Sequence, residues 1–166
     1  MVEKSEGNAH ATHRTVVERT SDFDLVVTRT FDAPLHIVFA AWSTPELFQR
    51  WWVPASAGMS LLECEMDIRT GGRYRLVFSH PAFEQPMAFF GSYKEVTPNQ
   101  RIVWTNEESD QGALTTVTFE EDDGKTRVIL HERYPTTAAL EEALAGSAEG
   151  LPEQFNQLDA LLSDNA

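Results

Sequence analysis

Beyond Met59 the chain changes its apolar period only once, from two to between three and four, and the change falls at Tyr134-Pro135-Thr136. Up to His131, short alternating runs follow one another between turn signals. Residues 61–68 place Leu62, Cys64, Met66 and Ile68 on one side, and residues 73–80 set Tyr74, Leu76, Phe78 and His80 against Arg73, Arg75, Val77 and Ser79. Further runs cover 87–96, 101–106, 114–120 and 126–133. Thr70-Gly71-Gly72-Arg73, Thr97-Pro98-Asn99-Gln100 and Asp122-Asp123-Gly124 are the tightest connections. Period two sends successive side chains to opposite faces of a strand, and connections this short leave room only for antiparallel pairing.

After the switch, Leu140, Leu144, Leu151, Phe155, Leu158 and Leu162 step by three, four or seven, along one helical face. The pattern predicts a helix over 136–162, capped by Thr136 or Thr137. It is kinked or restarted near Gly150, because Pro152 removes a backbone donor. Ahead of the strand series, L-V-V-T-R-T-F after Asp24 is rich in β-branched residues and reads as another strand. Asp32 as cap and Pro34 in the first turn then start a helix with Leu35, Val38, Phe39 and Trp42 on one face. Ser43-Thr44-Pro45-Glu46 repeats the signal, with a hydroxyl cap, for a second short helix over 45–51 that Pro54 closes. A curved antiparallel sheet laid around a long helix is an α+β architecture. Residues 1–21 read as a polar, partly disordered tail whose Thr15-Val16-Val17 patch can join the sheet; 22–166 form one domain.

Charge and motifs remove whole classes of function. The net charge of -13 opposes a nucleic-acid backbone or an anionic membrane as partner, since both need a basic face. No apolar run approaches the roughly 20 residues of a membrane span. Residues 1–20 lack the apolar centre of a secretory signal. The single Cys64 has no internal disulfide partner, so the expected location is cytoplasmic and Cys64 a structural thiol. Gly71-Gly72 lies between strands rather than before a helix, so it is no phosphate cradle. None of His10, His13, His36, His80 and His131 has the i, i+4 spacing of a helical zinc pair, so neither metal nor cofactor is expected.

The segments TRTFDAPLHIVFAAWSTPELFQRWWVP, DIRTGGRYRLVF, FFGSYKEVTPNQRIVWT, GKTRVIL and EGLPEQFNQLDALL carry a resemblance over about residues 22–163. Together they resemble the helix-grip (START-like, Bet v 1-like, SRPBCC) superfamily, in the branch similar to the C-terminal domain of the Hsp90 ATPase activator. The resemblance implies a cavity between sheet and long helix, used across the superfamily for lipids, sterols, polyketides and hormones. It implies no catalytic set. The branch often has Gly-Met before the second glycine of the long helix, whereas Ser147-Ala148 follows Gly146 here; if that methionine borders the cavity, its absence enlarges the pocket or admits a polar ligand group.

Alternation on the strands then names the expected ligand-binding residues. Trp42, Tyr74, Leu76, Phe78, Phe89, Trp104, Phe119, Leu130 and Leu144 line the cavity, with His80 and Glu132 as its polar groups and Gly91 leaving room for a ligand. The competing reading makes these aromatics plain core, His80 a strand-end ring in water and Glu132 a surface partner of Arg133 or Arg75. Phe155, Leu158 and Leu162 are expected as solid core, and Leu140, Leu144 and Leu151 as the cavity border. The leading function is binding of a small apolar or amphipathic molecule. A cyclase, dehydratase or hydrolase using Glu132, His80 or Tyr74 is the second. A protein-interaction module with a chaperone partner is the third, weakened because this sequence lacks the activator's separate N-terminal domain. A homodimer is compatible with all three.

Overall fold

The computed structural model describes residues 14–146 and 150–164. Eight strands and four α-helices are present among them: β1 Val16–Arg19, β2 Asp24–Phe31, α1 Leu35–Ser43, α2 Pro45–Trp51, β3 Ser60–Met66, β4 Arg73–Ser79, β5 Met87–Thr97, β6 Arg101–Thr105, β7 Leu114–Asp122, β8 Lys125–Arg133, α3 Thr137–Ala145 and α4 Leu151–Asp164. The strands form one sheet in the order β1-β2-β8-β7-β6-β5-β4-β3, and every pairing is antiparallel. Strands β3 to β8 form a meander, and only the β2–β8 pairing joins distant parts of the chain. This is the α+β architecture that the change of period predicts and the helix-grip fold that the resemblance implies. None of the described helices is long and apolar enough to cross a membrane.

The sheet bends within β5. Met87 to Ser92 pair with β4, while Tyr93 to Thr97 pair with β6, and the register shifts between Tyr93 and Glu95. Such a bulge turns a strand and raises its local twist. The β7–β8 hairpin closes on Asp123 and Gly124, with φ of 54° and 83°; two left-handed central residues match the twist of the strands they join.

The concave face is apolar along most of each strand. Leu25, Val27 and Phe31 on β2, Ile102 and Trp104 on β6, Val117 and Phe119 on β7, and Val128 and Leu130 on β8 belong to one buried cluster. Helix α4 covers this face with Phe155, Leu158, Leu161 and Leu162, all at most 5% exposed. Its flanks are tied by polar side chains. Gln157 Nε2 donates to the Trp51 and Val53 carbonyls at 2.9 and 2.8 Å, and Gln154 Nε2 donates to the Trp52 carbonyl. On the other flank the inward-facing Arg29 of β2, only 7% exposed, donates to Asn156 Oδ1 at 2.5 Å and Asp159 Oδ2 at 3.2 Å.

Local departures from the sequence reading have physical causes. A register shift between Leu61 and Glu63 puts Leu61 against the core and leaves Leu62 55% exposed, instead of sharing a face with Cys64 and Met66. Neither short helix has a side-chain cap: Pro34, not Asp32, is the N-cap of α1, and Thr44 caps α2 without its hydroxyl. Ser43 Oγ instead donates to the Phe39 carbonyl at 2.9 Å. The C-terminal helix is two helices. Thr136 Oγ1 accepts from the Ala139 amide at 3.0 Å to start α3, and a second helix begins at Leu151. The Val16–Val17 patch does form a strand, at the sheet edge and exposed. His10, His13 and the Ser147-Ala148 pair lie outside the described residues.

Candidate functional site

One transverse row of the concave face breaks the apolar pattern. Across neighbouring strands the register aligns Leu25 with Glu132, Glu132 with Thr115, Thr115 with Trp104, and Trp104 with Tyr93. Glu132 faces inward because it follows the fully buried Val128 and Leu130 at period two. Its flanking residues face the other way: His131 Nε2 and Arg133 Nη1 meet Asp24 at 2.6 and 2.8 Å. Among the described residues, no cation lies within ion-pair reach of the Glu132 carboxylate. Hydroxyls satisfy it instead, with Tyr134 donating to Oε1 at 2.7 Å and Thr115 to Oε2 at 3.4 Å.

The hydrogen bonds form a directed chain. Asn106 Nδ2 donates to the Ala113 carbonyl at 2.7 Å and to Thr115 Oγ1 at 3.1 Å. The carbonyl fixes which end of the amide is nitrogen. Asn106 Oδ1 therefore faces the Tyr74 hydroxyl, which lies 3.3 Å away and also donates to the Thr105 carbonyl at 2.7 Å. From Asn106 through Thr115, and from Tyr134, the donors point towards Glu132. Burial pushes the Glu132 carboxyl above its ordinary pKa, and the Tyr134 and Thr115 hydroxyls pull against that shift. Burial also raises the Tyr134 and Tyr74 hydroxyls well above the usual tyrosine range, keeping both as donors.

Gly91 has a different use from the one its position suggests. A Cβ there would fall 2.1 Å from the Thr105 carbonyl oxygen, so the space is taken by the backbone of β6, not left for a ligand. That carbonyl is the one the Tyr74 hydroxyl reaches.

Next to the row stands an aromatic cluster built by the two short helices. Trp42 has ring centroids of Phe48, Trp51, Trp52, Trp104, Phe119 and Phe155 between 4.6 and 6.4 Å away. Trp51 is fully buried, and its Nε1 donates to the Ala41 carbonyl at 3.0 Å. Trp42 Nε1 is also buried and has no acceptor among the described residues.

The expected site residues divide into groups. Trp42, Trp104, Phe119 and Leu130 share the central cluster, as do Tyr74, Leu76 and Phe78, while Phe89 and Leu144 are half-buried against it. Phe78 and Phe89 meet at 5.5 Å. Leu140 and Leu151 are buried like Leu158, at 0% and 5% exposure, so area alone does not divide border from solid core. His80 is not brought to Glu132. It lies just beyond the end of β4, where its Nδ1 accepts from the Ala82 amide at 2.9 Å and its ring meets Phe83 at 5.0 Å. Six residues of strand, roughly 20 Å, separate it from Tyr74. Arg75 pairs with Glu63 rather than with Glu132. Sequence reasoning missed Thr115, Asn106 and Tyr134; for Tyr134 the signal was present, since it continues the inward period from Glu132. Cys64 is half-buried, its thiol pKa raised by burial and then by Glu46, and it is not an activated nucleophile. Among the described residues, no group of three or more His, Cys, Asp or Glu gathers to hold a metal.

A sheet curved around C-terminal helices, with a polar row set into an apolar concave face, defines a helix-grip protein. The sequence profile of the family described as "Activator of Hsp90 ATPase homolog 1-like protein" matches residues 32–163, and the chain belongs to that family. Solved structures agree in fold. A protein from Rhodobacter sphaeroides superposes with a TM-score of 0.81 at 22% identity, over 91% of this chain and 99% of that one. One from Mycobacterium smegmatis gives 0.77 at 24% identity, over 89% and 96%. An AHSA1-like protein from Aeromonas hydrophila gives 0.66 at 20%, over 81% and 92%. No curated protein matches the chain.

Proposed function

We propose that this protein binds a small apolar or amphipathic molecule between the concave face of the sheet and the C-terminal helices, with Trp42, Tyr74, Leu76, Phe78, Phe89, Trp104, Phe119, Leu130 and Leu144 forming the apolar surround and Glu132 the polar contact. The observation that carries the reading is the Glu132 row: a few convergent polar groups on a concave surface that is apolar along most of each strand are the make-up of a small-molecule site. A plain core would gain nothing from a desolvated carboxylate, which costs free energy unless it is paired. The unpartnered Trp42 Nε1 adds support, because a buried donor calls for an acceptor that a ligand oxygen or a water supplies.

The alternatives receive less. Catalysis by convergent groups has lost His80 to the far end of β4, which leaves Glu132 and Tyr134 as one acid–base pair without a nucleophile. An interaction module rests on the family description alone. Native mass spectrometry of freshly purified protein is expected to show a retained small molecule. A hydrophobic probe is expected to change tryptophan fluorescence, and Trp104→Ala to shift its affinity by roughly twofold to tenfold. Protein that carries nothing and binds no probe would overturn the binding reading and leave the interaction module in the lead.

A further inference from the structure

We infer that the ligand carries an ammonium group and that Glu132 is its counter-ion, so the molecule bound is a cationic amphiphile rather than a neutral lipid or a fatty acid. The inference rests on the binding reading above and names the class of its ligand. Its basis is the direction of the hydrogen bonds. Tyr134 and Thr115 both donate to the carboxylate, and Thr115 is turned that way because its own oxygen already accepts from Asn106. A network in which the donors converge on one pair of oxygens is arranged for negative charge there.

No described residue forms an ion pair with Glu132, and His131 acts on it only from a distance. His131 and Arg133, the nearest by sequence, are spent on Asp24 across the sheet. Arg29, the buried arginine of the concave face, is engaged by Asp159, Asn156 and Thr15. A desolvated carboxylate that two hydroxyls address, and with which no described cation pairs, holds its proton tightly, and the ligand class that best replaces that proton is a cation with an apolar body. The row adds a second element of ammonium recognition. Trp104 is the cross-strand neighbour of Thr115, two strand spacings or roughly 10 Å from Glu132, and aromatic faces attract ammonium groups. The acidic chain, at a net -13, favours the approach of cations and disfavours fatty-acid anions.

The test compares three probes of equal length on the full chain at neutral pH: decylamine, decanol and decanoate, each titrated by calorimetry and tryptophan fluorescence. Decylamine is expected to bind roughly tenfold to a hundredfold more tightly than decanol, the range for one hydrogen bond to a charged group. Decanoate is expected to bind weakest. Glu132→Gln should bring decylamine down to the decanol affinity and leave decanol unchanged, with circular dichroism checking the fold. The comparison within the unaltered protein stands even where that variant does not fold. Equal binding of amine and alcohol, or an amine preference that survives Glu132→Gln, would overturn the counter-ion assignment while leaving the binding function intact. If none of the three binds, both readings fall.

Discussion

Removing Asp159 should destabilise this protein more than removing Arg29, although the two form one ion pair. The Arg29 side chain is 7% exposed and that of Asp159 28%, so the charges are buried unequally. Asp159→Ala strips one charged acceptor at 3.2 Å from a guanidinium that stays inside, with only Asn156 and Thr15 left to satisfy it. Breaking a fully buried pair costs about 3–5 kcal/mol. Because water already reaches Asp159, the expected loss is smaller, about 2 kcal/mol. Arg29→Met removes the buried charge itself and keeps an unbranched side chain near the Phe31 ring, which the guanidinium now overlies at 5.4 Å. Its cost should stay within about 1 kcal/mol, since apolar replacements of buried ions are often neutral. Urea melts with unchanged m-values measure both, and in the Arg29→Met background Asp159→Ala should cost under about 0.5 kcal/mol. The reasoning fails if Arg29→Met is the worse of the two, or if moderate salt abolishes the Asp159→Ala loss as it would for a surface pair.

Further outcomes follow from the same description. Leu158→Ala should cost about 2–5 kcal/mol and Leu144→Ala less, because Leu158 is fully buried and Leu144 only partly; equal shifts in denaturant midpoint would contradict this. Glu132 binds its proton more tightly when folded, so its contribution is favourable at low pH and is lost as pH rises from the ordinary glutamate range through the raised folded value. Glu132→Gln should therefore gain on the unaltered protein as pH climbs through that window and level off above it, and melts at stepped pH that stay parallel would refute the shift. Gly91→Ala drives a Cβ into the Thr105 carbonyl and should cost about 1–3 kcal/mol or more, read as a drop in melting temperature.

Much of this could be read from residue order, and the failures share a cause. Strand limits came through nearly intact because Gly71-Gly72, Pro98 and Asp123-Gly124 stop strands for local reasons. Glu132 could be placed inward because alternation from Val128 is also local. Leu62 was misplaced because a bulge is decided by the partner strand, not by the run it interrupts. Thr115 and Asn106 escaped notice for the same reason: nothing near either marks it as polar contact until register sets Thr115 beside Glu132. Arg29 was passed over because a charge on an inward position contradicts the pattern. It is tolerable only because Asn156 and Asp159, some 130 residues on, come to meet it. Asp32 and Ser43 looked like caps, but Pro34 already supplies the extended φ and ψ at the helix start.

The pairing of β2 with β8 sets a schedule for synthesis. Asp24 pairs with Arg133 and Phe31 with Thr126, so the second strand of the chain waits for the last one. At translation rates of about 5–20 residues per second, some hundred intervening residues take roughly 5–20 s to emerge. Throughout that interval β2, with Leu25, Val27 and Phe31, has only the short edge strand β1 beside it, whereas each hairpin of the β3–β7 part of the meander can close as it leaves the ribosome. On a stalled nascent chain ending before Thr126, the β2 amides that face β8 should exchange freely while those between β4 and β5 are already protected. Release of the last forty residues then brings in the β8 edge, and after it α4, whose polar flanks fasten the two ends of the chain together.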